Sequence, residues 1–134
     1  MTDLADRYPE AQHFTFGDSD EQCDHMLDLV AGGWKTATCM PLAHVAEGGQ
    51  PMPVVGRCDI ATDWDGTPVL VIETTEVTLR PFEEVDEEFA LAGGEDPTLE
   101  SWQQSHREHF AENGGWTSDM MLVCERFRVV EVVT

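Results

Sequence analysis

Apolar and polar positions follow two different periods along this chain, and the changes of period mark its elements. Between residues 23 and 30, Cys23, Met26, Leu27 and Val30 recur at i, i+3, i+4 and i+7, which is one face of an α-helix. Asp18 is placed to cap that helix, with Glu21 three residues on to complete a capping box. Gly32-Gly33 ends it, because glycine closes a helix in the left-handed conformation at little cost. Before it, His13 to Phe16 reads as a short edge strand stopped by Gly17. After it, Lys35 and Ala37 alternate with Thr36, Thr38 and Met40 as in a strand, with Lys35 and Ala37 on one side and Thr38 on the other.

The middle of the chain reads as antiparallel strands. Pro41 to Pro53 predicts one helical turn and a loop containing Gly48-Gly49. Val54 to Asp63 then predicts a strand, and Asp65-Gly66 a type I′ hairpin turn into a partner from Val69 to Leu79. Simple alternation puts Val69, Val71, Glu73, Thr75, Val77 and Leu79 on one buried face. Glu73 is then an acid that must be paired, hydrogen-bonded or shifted in pKa; the plain alternative is an ion pair with an arginine.

Phe82, Val85, Phe89 and Ala90 predict a short acidic helix up to Leu91, broken by Gly93-Gly94. Thr98 caps a second helix to about Asn113, with Leu99, Trp102, His106 and Phe110 along one side. There His106 and His109 read as core and surface residues, not metal ligands. The β-branched run from Leu122 to Val133 predicts a final strand, in which Glu125, Arg126 and Arg128 face either a ligand pocket or solvent. The order of elements predicts an α+β fold in one domain, residues 1–134 with a core at about 13–133: a small, mostly antiparallel β-barrel with flanking helices.

Charge narrows the function. Twenty-seven acidic residues against seven basic ones give a formal charge of −20, which repels polyphosphate and removes the counterion-release drive for nonspecific duplex binding. Five arginines, Arg57, Arg80, Arg107, Arg126 and Arg128, are free to gather at one cleft. Four widely spaced cysteines without a CxxC pair read as buried free thiols, and no metal or cofactor is called for. The polar, acidic start of the chain and the lack of any long apolar run lead to the expectation of a cytoplasmic protein with no membrane segment.

One lysine, Lys35, stands beside six arginines. By itself it reads as a solvated cation favoured by the nearby helix terminus. The stretch Gly33-Trp34-Lys35-Thr36-Ala37-Thr38, however, resembles the signature of ASCH domains, in which Gly-x-Lys follows the first helix. Val71 to Val77, Gly94-Glu95-Asp96-x-Thr98-Leu99-x-x-Trp102 and Val123 to Phe127 resemble bacterial ASCH proteins in the same order, so the likeness spans roughly Phe14 to Val130. It implies a barrel similar to the PUA domain and a cleft for a nucleoside, a nucleotide or a short single-stranded RNA.

One branch of that family is an amidohydrolase of acetylated cytidine, and another member is a ribonuclease. The resemblance to the first places a catalytic set on Lys35, Thr38 and Glu95; Trp34, Thr36, Glu73 and Arg126 are carried along as ligand-binding candidates. Amide hydrolysis needs a nucleophile, a base and a stabiliser of negative charge: Thr38 for the first, with Lys35 and Glu95 interchangeable in the others. A noncatalytic RNA-binding module and a ribonuclease remain the alternatives. The family's arginine five residues after its lysine is Met40 here, which weighs against long RNA more than against a nucleoside.

Overall fold

The structure is a computed structural model that describes residues 4–46 and 51–133. Its elements in order are α1 (Leu4–Arg7), β1 (His13–Phe14), α2 (Asp20–Ala31), β2 (Ala37–Pro41), α3 (Leu42–Ala46), β3 (Cys58–Thr62), β4 (Pro68–Pro81), α4 (Glu87–Ala92), α5 (Leu99–Glu112) and β5 (Met121–Val132), with a 3-10 turn at Phe82–Glu84 before α4. The Gly48-Gly49 pair of the expected loop lies outside the described residues. No helix among the described residues is long and apolar enough to cross a membrane.

The five strands form one mixed sheet in the order β1-β3-β4-β5-β2. β1 runs parallel to β3, and the other pairs are antiparallel. The α+β class is as expected, but the sheet is open, not a closed barrel. Closure needs terminal strands long enough to tilt and stagger against one another. Here the two edges are β1, two residues long, and β2, five residues long.

Helices cover both faces. On one, α2 buries Cys23, Leu27 and Val30 against Ala61, Leu70, Ile72 and Phe127, the face that the helical spacing selects. On the other, Phe89, Ala90, Trp102 and Phe110 from α4 and α5 pack on Ala37, Leu122 and Cys124. Phe82 anchors that second core, its ring stacked 5.4 Å from Trp102. All four cysteines are free.

Three local expectations are corrected. Ser19, not Asp18, is the N-cap of α2: its hydroxyl accepts from the Gln22 amide at 3.2 Å. Gln22 returns the bond by accepting from the Asp18 amide at 2.8 Å, so the reciprocal box exists one residue later, with glutamine in place of Glu21. The β3–β4 hairpin is not type I′, which demands positive φ at both central residues. Among the described residues only glycines have positive φ. Gly66 takes φ +89° after an Asp63–Gly66 turn closed at 3.0 Å, and the Asp63 carboxylate accepts from the Asp65 and Thr67 amides.

The third correction concerns β4. Its ladder with β5 shifts register between Thr74 and Glu76, leaving Thr75 as an extra residue. Such a bulge exchanges the inward and outward sets beyond it, so Glu73 and Val77 do not share a face. The α2 face carries Leu70, Ile72 and Thr74, and Glu73 turns to Arg128, whose Nε donates to it at 2.8 Å. The plain alternative for Glu73 therefore holds.

Because Trp102 is 2% exposed and joins the Phe82 ring to α5, Trp102→Ala is expected to cost about 3–5 kcal/mol of stability in denaturant melts. Trp34→Ala, at a position 72% exposed, is expected to stay within about 0.5 kcal/mol of wild type. Equal losses for the two would contradict this packing.

Candidate functional site

The end of α2 fixes the start of the site. Trp34 N–H donates to Leu29 O at 2.9 Å and Gly33 N–H to Val30 O at 3.1 Å, with Gly33 at φ +81°; together these make a Schellman closure. Lys35 N–H also donates to Leu29 O, at 3.1 Å. The backbone of Lys35 is thus tied to the helix that precedes it. Thr36 then bridges outward: its N–H donates to Ala92 O at 2.8 Å, and its carbonyl accepts from Phe127 N–H at 3.0 Å.

The loop after α4 closes over Lys35 from the other side. Gly94 has φ +77°, and a methyl group built on it would lie 2.6 Å from Trp34 O and 2.9 Å from Lys35 Cα. Only glycine allows the two backbones to approach so closely. Its neighbours take the side chain: Lys35 Nζ donates to Gly93 O at 3.1 Å and to Glu95 Oε2 at 3.4 Å. Lys35 is only 5% exposed. An ammonium has three N–H donors, and among the described residues two of them are taken. Asp96 secures the same loop to α5, accepting from Ser101 and Ser105 hydroxyls at 2.9 and 3.1 Å.

These residues border a cleft of about 940 Å³ lined from all five strands, including both sheet edges β1 and β2, and from the segment leading into α2 and from α5. Lys35, Thr38 and Glu95 all line it. Because β2 is an edge strand, the cleft takes residues from both of its faces, Ala37 and Cys39 as well as Thr38 and Met40. Lys35 and Thr38 therefore reach one space despite strict alternation. Asp18 and His109, 3.3 Å apart, tie α2 to α5 across it.

Of the other sequence candidates, none lines this cleft. Trp34 is solvent-exposed, Thr36 spends its backbone between α4 and β5, and Glu73 pairs with Arg128. Arg126 lies over the Phe89 ring at 5.4 Å and faces Glu76 and Glu88. The five arginines do not gather either. Only Arg57 lines the cleft, and it is engaged by Asp59 through bonds of 2.9 and 3.0 Å.

Three more groups line the cleft: Asp59 and His106, which sequence reasoning did not assign to a site, and Glu125, for which it left a pocket or solvent open. Asp59 is buried and also accepts from Gln12 N–H at 2.9 Å. Glu125 stands across the ladder from Thr38 and accepts from the Thr74 hydroxyl at 2.8 Å. Burial pushes its carboxyl above the usual glutamate range, against the Thr74 bond and Arg57, which favour the ion. His106 stacks on Trp102 at 4.2 Å, and its Nδ1 lies 2.9 Å from Trp102 O. A carbonyl can only accept, so the proton sits on Nδ1 and Nε2 is an acceptor. Burial holds the His106 pKa below its ordinary value, keeping the ring neutral at neutral pH.

Cys39 is a nucleophile by residue type only. Burial pushes its thiol up to about 12, so no useful thiolate exists at neutral pH. The hydroxyls that line the cleft are those of Thr15, Thr38 and Ser105, of which Ser105 is bonded to Asp96 and Thr38 is the one the family resemblance singles out. The electrostatics discriminate among ligands too: five carboxylates line the cleft against one ammonium and one guanidinium. A phosphate is repelled there, whereas an uncharged polar molecule finds many donors and acceptors.

Two outcomes test this geometry. Gly94→Ala is expected to cost about 1–3 kcal/mol from the left-handed strain alone and to displace Lys35; unchanged melting would contradict the close approach. For Glu125, a folded pKa above the unfolded value means that ionisation costs stability as pH rises through it. Glu125→Gln should therefore raise the melting temperature relative to wild type at pH 7 and lose that advantage at pH 4. The opposite trend would show a carboxylate stabilised by its surroundings.

A domain model described as ASCH domain matches residues 12–131. Two solved structures are similar over nearly the whole chain. The ASCH domain of Lactobacillus crispatus JV V101 is 32% identical with a TM-score of 0.84, over 95% of this chain and 84% of that one. A protein of Enterococcus faecalis V583 is 33% identical with a TM-score of 0.83, over 96% and 84%. A search of curated protein sequences finds no match. With the domain model covering all five strands almost end to end, this chain belongs to the ASCH domain family.

Proposed function

We propose that the cleft binds an uncharged, nucleoside-like molecule and hydrolyses an amide carried on it, with a cytidine acetylated on its exocyclic amine as the representative substrate. The observation that carries this reading is the buried Lys35 ammonium, held between Gly93 O and Glu95 at the wall of a cleft that also contains Thr38. Amide hydrolysis builds negative charge on the carbonyl oxygen, and a preorganised cation in a water-poor site stabilises it without reorganisation. Lys35 has that character. Glu95 orients it, and Thr38 supplies the attacking oxygen.

The electrostatics also favour this reading over RNA. Binding or cleaving RNA requires contact with successive phosphates, and the cleft's acids oppose that. Loss of the family arginine at Met40 acts in the same direction, since Met40 lines the cleft and cannot hold an anion.

Purified protein incubated with acetylated cytidine is expected to release acetate and cytidine. Lys35→Ala should lower kcat about 100- to 1,000-fold, as removal of an oxyanion donor does; Thr38→Val should abolish turnover. A short single-stranded RNA run alongside should be neither bound tightly nor cut. No deacetylation, together with RNA binding weakened by Lys35→Ala, would overturn the proposal.

A further inference from the structure

The reading above leaves one proton without a destination. If Thr38 Oγ1 attacks an acyl carbon, its hydrogen must go to a base, and Lys35 and Glu95 are already committed to each other. The ladder supplies another group. In the β2–β5 pair Thr38 stands directly opposite Glu125, and direct partners in an antiparallel pair point to the same face with Cβ atoms about 5 Å apart. The two side chains are therefore neighbours on one face of the sheet, and both line the cleft.

Glu125 is also held for the task. Thr74 donates to its Oε2 at 2.8 Å, so one oxygen is fixed and the carboxylate plane with it. Among the described residues, no group donates to Oε1, and the Thr38 hydroxyl makes no hydrogen bond. We infer that Glu125 is the general base of this site, accepting the Thr38 hydroxyl proton on Oε1. This rests on the amide-hydrolase reading and deepens it, giving Thr38 a partner distinct from the Lys35–Glu95 pair.

The chemistry balances. As the Thr38 Oγ–H bond breaks, its proton passes to Glu125 and Oγ bonds to the acyl carbon, with the carbonyl electrons moving to the oxygen beside Lys35. The carbon–nitrogen bond then breaks, and the proton returns from Glu125 to the leaving amine. Water attacks the acyl-threonine ester next, Glu125 taking its proton and giving it back to Thr38 Oγ as the acid departs. The site is restored after one water is consumed.

Burial raises the proton affinity of Glu125, which makes it a stronger base than an exposed glutamate. The charged and titratable groups sharing the cleft with it are Arg57 just before β3, Asp59 on β3, His13 on β1, Asp18 just before α2, Lys35 before β2, Cys39 on β2, His44 on α3, Glu95 and Asp96 in the loop after α4, and His106 and His109 on α5. Asp59 adds to the upward shift, while Arg57 and the Thr74 bond oppose it. Removing the Thr74 hydroxyl must therefore raise the Glu125 pKa further.

The test is the pH dependence of acetylated-cytidine hydrolysis by wild type, Glu125→Gln, Glu125→Asp and Thr74→Val. Glu125→Gln is expected to lose about 100- to 10,000-fold in kcat, as removal of a general base does, with little change in KM. Glu125→Asp should keep a partial rate, and Thr74→Val should move the acid limb of the profile to higher pH. If Glu125→Gln fails to fold, the other two variants decide. Wild-type kcat in Glu125→Gln or Glu125→Asp, or an unmoved acid limb in Thr74→Val, overturns the assignment while leaving the hydrolase reading intact. A wild-type protein that hydrolyses nothing overturns both.

Discussion

The site depends on a close contact between two pieces of backbone. Gly94 sits against Trp34 O and Lys35 Cα at a distance that excludes a side chain, and the Schellman closure of α2 holds Trp34 and Lys35 from the other side. Each half is local and needs a left-handed glycine, Gly33 in one and Gly94 in the other. Their meeting buries the ammonium between Gly93 O and Glu95. A lysine pays heavily for burial unless its donors are taken up, so the carbonyl and carboxylate are conditions for its position. Helix end, glycine loop and ion pair form one unit.

That unit sits at the edge of an open sheet, and the openness matters. A closed barrel would have paired β2 on both sides and sealed the strand that carries Thr38. As an edge, β2 presents both of its faces to one cleft, so Lys35 and Thr38 serve the same space. The chain's excess of acid continues into the cleft, and Arg57 is paired with Asp59, so the proposed ligand is one held by hydrogen bonds and burial more than by phosphate contacts.

What the sequence revealed followed the range of each interaction. The α2 face of Cys23, Leu27 and Val30 and the glycine closure before Lys35 depend on neighbours within a turn or two, and both were legible. The Lys35–Glu95 contact joins residues 60 positions apart, and only the family resemblance brought them together. The β4 face failed for a definite reason: the bulge at Thr75 splits the residues that alternation groups together, setting Val77 and Leu79 on the opposite face from Glu73, which pairs with Arg128. One acid that does line the cleft, Glu125, lies between Cys124 and Arg126 in a strand that also carries Arg128 and Glu131, and its sequence left a pocket and solvent equally open. The role proposed for it rests on the register that sets it opposite Thr38. Barrel closure was likewise a property of strand length at the edges, and β1 proved only two residues long.

The central claim is that Thr38 takes the acyl group in a cleft where Lys35 stabilises the charge. It is tested most directly by trapping the intermediate: wild-type protein is quenched in acid during turnover of acetylated cytidine and its peptides are read by mass spectrometry. The account predicts one acetyl group on the peptide carrying Thr38, assigned to Thr38 by fragmentation and lost in Thr38→Val. Turnover with the acetyl group on Cys39, or Thr38→Val hydrolysing at the wild-type rate, would contradict it.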